Sequence, residues 1–137
     1  EDGEAWKIGI QDPFKEERDY LGILKVKNKS VVTSGDYERY IIYNGEKYHH
    51  ILDPKTGYPS ENEVSGITII SDKSIVGDGL STALFILGVE GGSKLVNQLG
   101  DIQAIFVTKM EEVIVHEDII EDFSLRDSNY SLILNQK

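Results

Sequence analysis

The chain has 137 residues, 39% of them hydrophobic and 28% charged, an ordinary globular composition that predicts one domain, residues 1–137, with a real core. Lys and Arg number 14 against 24 Asp and Glu; the net charge of −10 argues against nucleic acid or anionic membrane as a partner, but not against a nucleotide held through a divalent cation. The absence of cysteine excludes disulfides, thiolate zinc sites and cysteine nucleophiles.

The start, Glu1 to Trp6, lacks both a basic residue and an apolar segment, so it does not read as a signal peptide. It also lacks an initiator Met, which suggests a processed or cut chain. No apolar run reaches the roughly 20 residues of a bilayer span. Trp6, Ile8 and Ile10 alternate within a predicted strand, and Gln11–Tyr20 reads as a charged loop with a turn of helix. Leu21–Val26 and Ser30–Thr33 flank Lys27-Asn28-Lys29 in a hairpin pattern. Ser34-Gly35-Asp36 is a turn cluster, and Tyr37–Tyr43 then meets Asn44-Gly45, the strongest short hairpin signal in the chain. The return strand, Tyr48–Leu52, carries His49 and His50 into Asp53-Pro54-Lys55-Thr56-Gly57. Proline there sets φ for a tight turn and Gly57 can take a positive φ.

Gly66–Ile70 reads as a short apolar strand. Apolar residues at 76, 80, 83, 84 and 87 predict a helix over Ile75–Leu87, ended by Gly88. Gly91-Gly92 reads as a loop before a second helix, Ser93–Leu99, with Ser93 as its cap. Ile102–Thr108 is continuously apolar and hence a central strand, turning through residues 109–112 into Val113–His116. Phe123–Leu125 is an edge strand, and the tail from Asp127 has no clear pattern. The fold class expected is α+β: a mainly antiparallel sheet with two adjacent helices packed on one face.

Two places carry chemistry. Asp78 and Thr82, four apart at a helix start, share one face and offer a carboxylate and a hydroxyl to a hard cation such as Mg²⁺, although the same spacing suits a helix-capping Asp and a solvent-facing Thr. His50, beside the turn, can act as a general acid or base, or simply bond a loop carbonyl. His49 faces the other side of the strand, and His116 reads as structural. Ser34-Gly35-Asp36-Tyr37-Glu38-Arg39 offers backbone amides and a hydroxyl to an anion.

Four blocks occur in order: Trp6-Lys7-Ile8-Gly9-Ile10-Gln11-Asp12-Pro13, Ser34-Gly35-Asp36-Tyr37-Glu38-Arg39-Tyr40, Tyr48 to Pro59, and Asp78-Gly79-Leu80-Ser81-Thr82-Ala83-Leu84-Phe85. Together they resemble the C-terminal portion of the ApbE family, the FAD:protein FMN transferases, over Trp6 to about Val107. The resemblance implies Mg²⁺-dependent cleavage of FAD, the substrate, with FMN passed to a Thr or Ser hydroxyl of a target flavoprotein and AMP released. It implies Asp78 and Thr82 as metal ligands, His50 as base or phosphate contact, and Ser34, Gly35, Asp36 and Tyr37 as walls of the flavin-nucleotide cleft. Hydrolytic release of FMN and AMP, or flavin binding without catalysis, are the alternatives. The family has alanine where this chain has Gly77, a change expected to be tolerated. Its members are about twice this length, so the chain is expected to be a fragment, inactive by itself and able to form a homodimer through apolar surface that would meet the remaining part. Family members are exported and lipid-anchored outside the bacterial cytoplasmic membrane, the localisation this implies.

Overall fold

A computed structural model describes residues 3–15 and 19–136. Residues 16–18, within the loop expected over Gln11–Tyr20, lie outside the described residues, as do residues 1, 2 and 137. Ten strands and one long helix follow in the order β1 (Trp6–Gln11), β2 (Tyr20–Val26), β3 (Ser30–Gly35), β4 (Tyr40–Tyr43), β5 (Glu46–His49), β6 (Val64–Ser71), α1 (Ser74–Leu99), β7 (Gln103–Thr108), β8 (Glu112–His116), β9 (Phe123–Leu125) and β10 (Ser131–Asn135).

The organising element is a five-stranded sheet in the order β10-β8-β7-β6-β3. β7 is its middle strand, as its unbroken apolar run requires, because both of its faces are covered. Ala104 and Phe106 face α1 and meet Ile67, Ile69, Leu84, Phe85 and Val96 in one core cluster. Ile105 and Val107 face the opposite way, into a second cluster with Leu21, Leu24, Val113, Val115 and Phe123. A three-stranded sheet, β1-β2-β9, closes that second face, so the molecule has three layers rather than a helix layer on one sheet. The class is α+β, as the sequence predicts, with one parallel pair, β10 on β8, among otherwise antiparallel ladders.

Three local expectations are corrected. β2 and β3 do not pair with each other. Asn28 does take the turn's positive φ, but β2 ladders with β1 and β9 while β3 ladders with β6 over six residue pairs. The turn reverses the chain, and longer-range partners decide the pairing. The two predicted helices are one element, α1, interrupted only at Gly88 (φ 73, ψ −177). Gly91 and Gly92 are helical, and Gly92 is there for packing: a Cβ on it would lie 2.8 Å from Phe106 Cζ. The helix resumes without Ser93 as a cap, because Glu63 Oε1 accepts the Val89 N–H at 2.7 Å. Third, the unassigned tail forms the edge strand β10. By length and apolar content α1 would suffice for a membrane span, yet its Leu84, Phe85 and Val96 are buried against the sheet.

Candidate functional site

The Asn44-Gly45 signal is realised. Both residues take positive φ (51° and 82°), the two-residue geometry whose twist matches paired strands, and Tyr43 pairs with Glu46. The hairpin β4–β5 is a two-stranded sheet of its own, with all four β4 residues, Tyr40 to Tyr43, exposed. The turn after it also forms as expected. Gly57 has φ 73, the Thr56 and Gly57 amides donate to Asp53 O at 3.2 and 2.8 Å, and Asp53 Oδ1 accepts the Lys55 amide at 2.8 Å. A bridge between Leu52 and Pro59 closes it.

Hairpin and turn enclose an apolar groove of about 490 Å³ lined by Tyr40, Ile41, Tyr48, His50, Leu52 and Tyr58, among others. His50 is exposed at this groove. Arg39 O accepts twice from it, from the backbone N–H at 3.1 Å and from Nδ1 at 3.0 Å. A carbonyl only accepts, so Nδ1 carries the proton, and in the neutral ring Nε2 presents a lone pair. The carbonyl-bonded histidine, one of the two alternatives in the sequence, is the arrangement present, and the bond uses Nδ1 alone. His49 turns inward: Nε2 lies 3.2 Å from Ser60 O and the ring packs edge-on against Phe85 at 5.7 Å. Burial lowers its pKa from the usual 6.5.

Asp78 and Thr82 lie in the first turns of α1, both exposed. Asp78 is not the cap; Lys73 holds that position. Among the described residues no three His, Asp or Glu side chains gather to hold a metal ion. Two oxygen donors on one face nonetheless fit Mg²⁺, which keeps most of its positions for water and phosphate.

The Ser34–Tyr37 block ties these parts together. Ser34 Oγ lies 2.8 Å from Ser81 Oγ, which donates to Asp78 O at 3.0 Å. Asp36 Oδ1 pairs with Lys47 Nζ of β5 at 3.3 Å, and that ammonium sits 4.7 Å from the Tyr40 ring centre. Gly35 is buried, and burial pushes the Tyr37 phenol above its ordinary pKa, keeping it neutral. The block thus bonds to the start of α1 at one end and to the hairpin at the other. His116, as expected, is buried away from this region, with Nδ1 accepting the Asp118 amide at 3.3 Å.

Residues 1–106 match the sequence profile of the ApbE family. The chain belongs to that family. It is 46% identical over 128 residues to an FAD:protein FMN transferase of Klebsiella pneumoniae, covering 93% of this chain and 40% of that protein. An FAD:protein FMN transferase of Treponema pallidum is 34% identical over 93% of this chain and 35% of its own. Among solved structures, the ApbE protein of Thermotoga maritima superposes with a TM-score of 0.77 at 34% identity, over 90% of this chain and 39% of that one. The chain therefore spans about two-fifths, or less, of the length of these relatives.

Within the ApbE blocks, several contributors carry no signal of their own. Ser81 lies within the fourth block, and its bond to Ser34 joins α1 to β3. Phe85, the last residue of the fourth block, is the partner of the His49 ring. The Arg39 contribution is a backbone carbonyl, which any residue type supplies.

Proposed function

We propose that this chain provides the metal-binding and base-bearing part of an FAD:protein FMN transferase. The observation that carries the reading is the segment 34–39: at one end Ser34 bonds Ser81, which donates to the Asp78 backbone carbonyl, and at the other the Arg39 carbonyl orients His50. It links an oxygen-donor face to a histidine with a free lone pair, in a chain whose curated relatives are named FAD:protein FMN transferase.

In this reading the acceptor Thr or Ser hydroxyl of a target flavoprotein attacks the phosphorus of the FMN half of FAD. The new P–O bond forms as the pyrophosphate P–O bond to AMP breaks, and His50 Nε2 takes the hydroxyl proton. Asp78 and Thr82 would hold Mg²⁺, which when bound would supply charge neutralisation at the pyrophosphate and make AMP a better leaving group. The open apolar groove beside His50 offers a surface against which an apolar part of the reactants can pack. Ser34 to Tyr37 shape the cleft. The lipid-anchored position outside the cytoplasmic membrane belongs to the same proposal. Transfer and hydrolysis are separated by incubating the full natural chain with FAD, Mg²⁺ and an acceptor flavoprotein, then denaturing. Flavin fluorescence that stays with the acceptor band is the expected result; free FMN alone would support hydrolysis.

A further inference from the structure

Because β4 and β5 pair only with each other, the place of His50 relative to the five-stranded sheet depends on the anchors of the hairpin. One anchor has an unusual build. Gly35 of β3 and Gly66 of β6 are register partners at the end of their ladder. A Cβ on Gly35 would sit 2.3 Å from Tyr37 Cε1 and 2.8 Å from Cδ1 and Cζ, so the ring would have to leave its place. A Cβ on Gly66 would meet the same Cε1 at 3.5 Å and Pro13 Cγ at 3.7 Å. The Tyr37 ring thus lies directly over backbone, on a seat that two paired glycines leave open. The turn it pins is held further by Asp36 N donating to Ser65 O at 3.1 Å and Glu38 N donating to Gly35 O at 3.4 Å. Two residues beyond Tyr37 is the Arg39 carbonyl that receives both His50 donors.

We propose that Tyr37, seated on the Gly35–Gly66 pair, is a positioning residue: it fixes the 36–39 turn so that Arg39 O locks His50 as the Nδ1–H tautomer with Nε2 free. The ring, not the hydroxyl, does this work. The role rests on the reading of His50 as the base, but its test needs no turnover, so the two can fail separately.

The test is ¹⁵N imidazole NMR on the full chain, reading the His50 tautomer at a pH where the ring is neutral. The native protein shows the Nδ1–H pattern, and Tyr37→Phe keeps it. Tyr37→Ala loses it to an averaged pattern while the far-UV circular dichroism stays unchanged. Gly35→Ala also loses it, and combined with Tyr37→Ala it adds no further change, since the clash is gone. Should Gly35→Ala fail to fold, the two Tyr37 variants decide alone. A native Nδ1–H pattern in folded Tyr37→Ala would overturn the proposal, as would loss of the pattern in Tyr37→Phe.

Discussion

Gly77 is buried in the first turn of α1, where its neighbours leave little room for a side chain. A Cβ at position 77 would lie 2.9 Å from Val32 Cγ2, 3.2 Å from Val32 Cβ and 3.3 Å from Ser71 Oγ. Val32 is β-branched and sits on β3, so its methyl has few rotamers in which to retreat. Replacing Gly by Ala in a helix gains at most about 1 kcal/mol of propensity. Overpacking a well-filled contact costs about 1–3 kcal/mol. The net for Gly77→Ala is a loss of roughly 1 kcal/mol, about 3 °C in Tm for a chain of this size. With Val32→Ala in place the contact with Cγ2 is gone while those with the residue 32 Cβ and Ser71 Oγ remain, so Gly77→Ala costs less than in the native chain, by roughly 1 kcal/mol, a coupling between contacting sites. Urea unfolding of the two single variants and the double variant measures it. Purely additive effects, or stabilisation by Gly77→Ala alone, would refute the packing argument.

Two further outcomes follow from other contacts. Asp12 is buried at 1% exposure and accepts from the Tyr130 hydroxyl at 2.6 Å, from the Phe14 amide at 3.0 Å and from Lys15 at 3.3 Å. Tyr130→Phe removes one donor from a buried carboxylate and should cost about 2 kcal/mol in chemical denaturation; a cost below about 0.5 kcal/mol would mean that water replaces the hydroxyl. The pKa of His49 is lowered chiefly by burial, so the unfolded chain binds its proton more readily than the folded one. Its contribution to stability is therefore full above the ordinary pKa of 6.5 and is lost as pH falls through the lower folded value. Stability measured from pH 7 down to 5 should fall more steeply in the native chain than in His49→Gln, and equal slopes would show that the histidine does not titrate this way.

The legible parts of this fold are those in which neighbouring residues settle the conformation. Asn44-Gly45 and Asp53–Gly57 take the φ angles their residue types favour, and β7 announces its central place through a run of apolar residues on both faces. Where several distant segments compete for a partner, local pattern is silent. β2 and β3 look like a hairpin and join different sheets, because each finds a longer ladder elsewhere. Glycine is the ambiguous letter. Gly88 does break α1, whereas Gly92 reads as a loop residue and serves the close approach of Phe106. The same holds at the site: Asp78, Thr82 and His50 could be named from their chemistry, but the Arg39 carbonyl and the Tyr37 seat exist only after the chain has folded.

In the proposed function Asp78 belongs to a cation site that serves pyrophosphate cleavage. Its most direct test is AMP release from FAD by the full natural chain, with and without Mg²⁺, in native and Asp78→Ala forms. Because Asp78 is exposed and does not cap α1, the substitution should leave folding intact. The account predicts Mg²⁺-dependent AMP release in the native protein and its loss, by at least about a hundredfold, in Asp78→Ala, in line with the several kcal/mol of transition-state stabilisation a metal supplies. Undiminished Mg²⁺-dependent release in folded Asp78→Ala would contradict it.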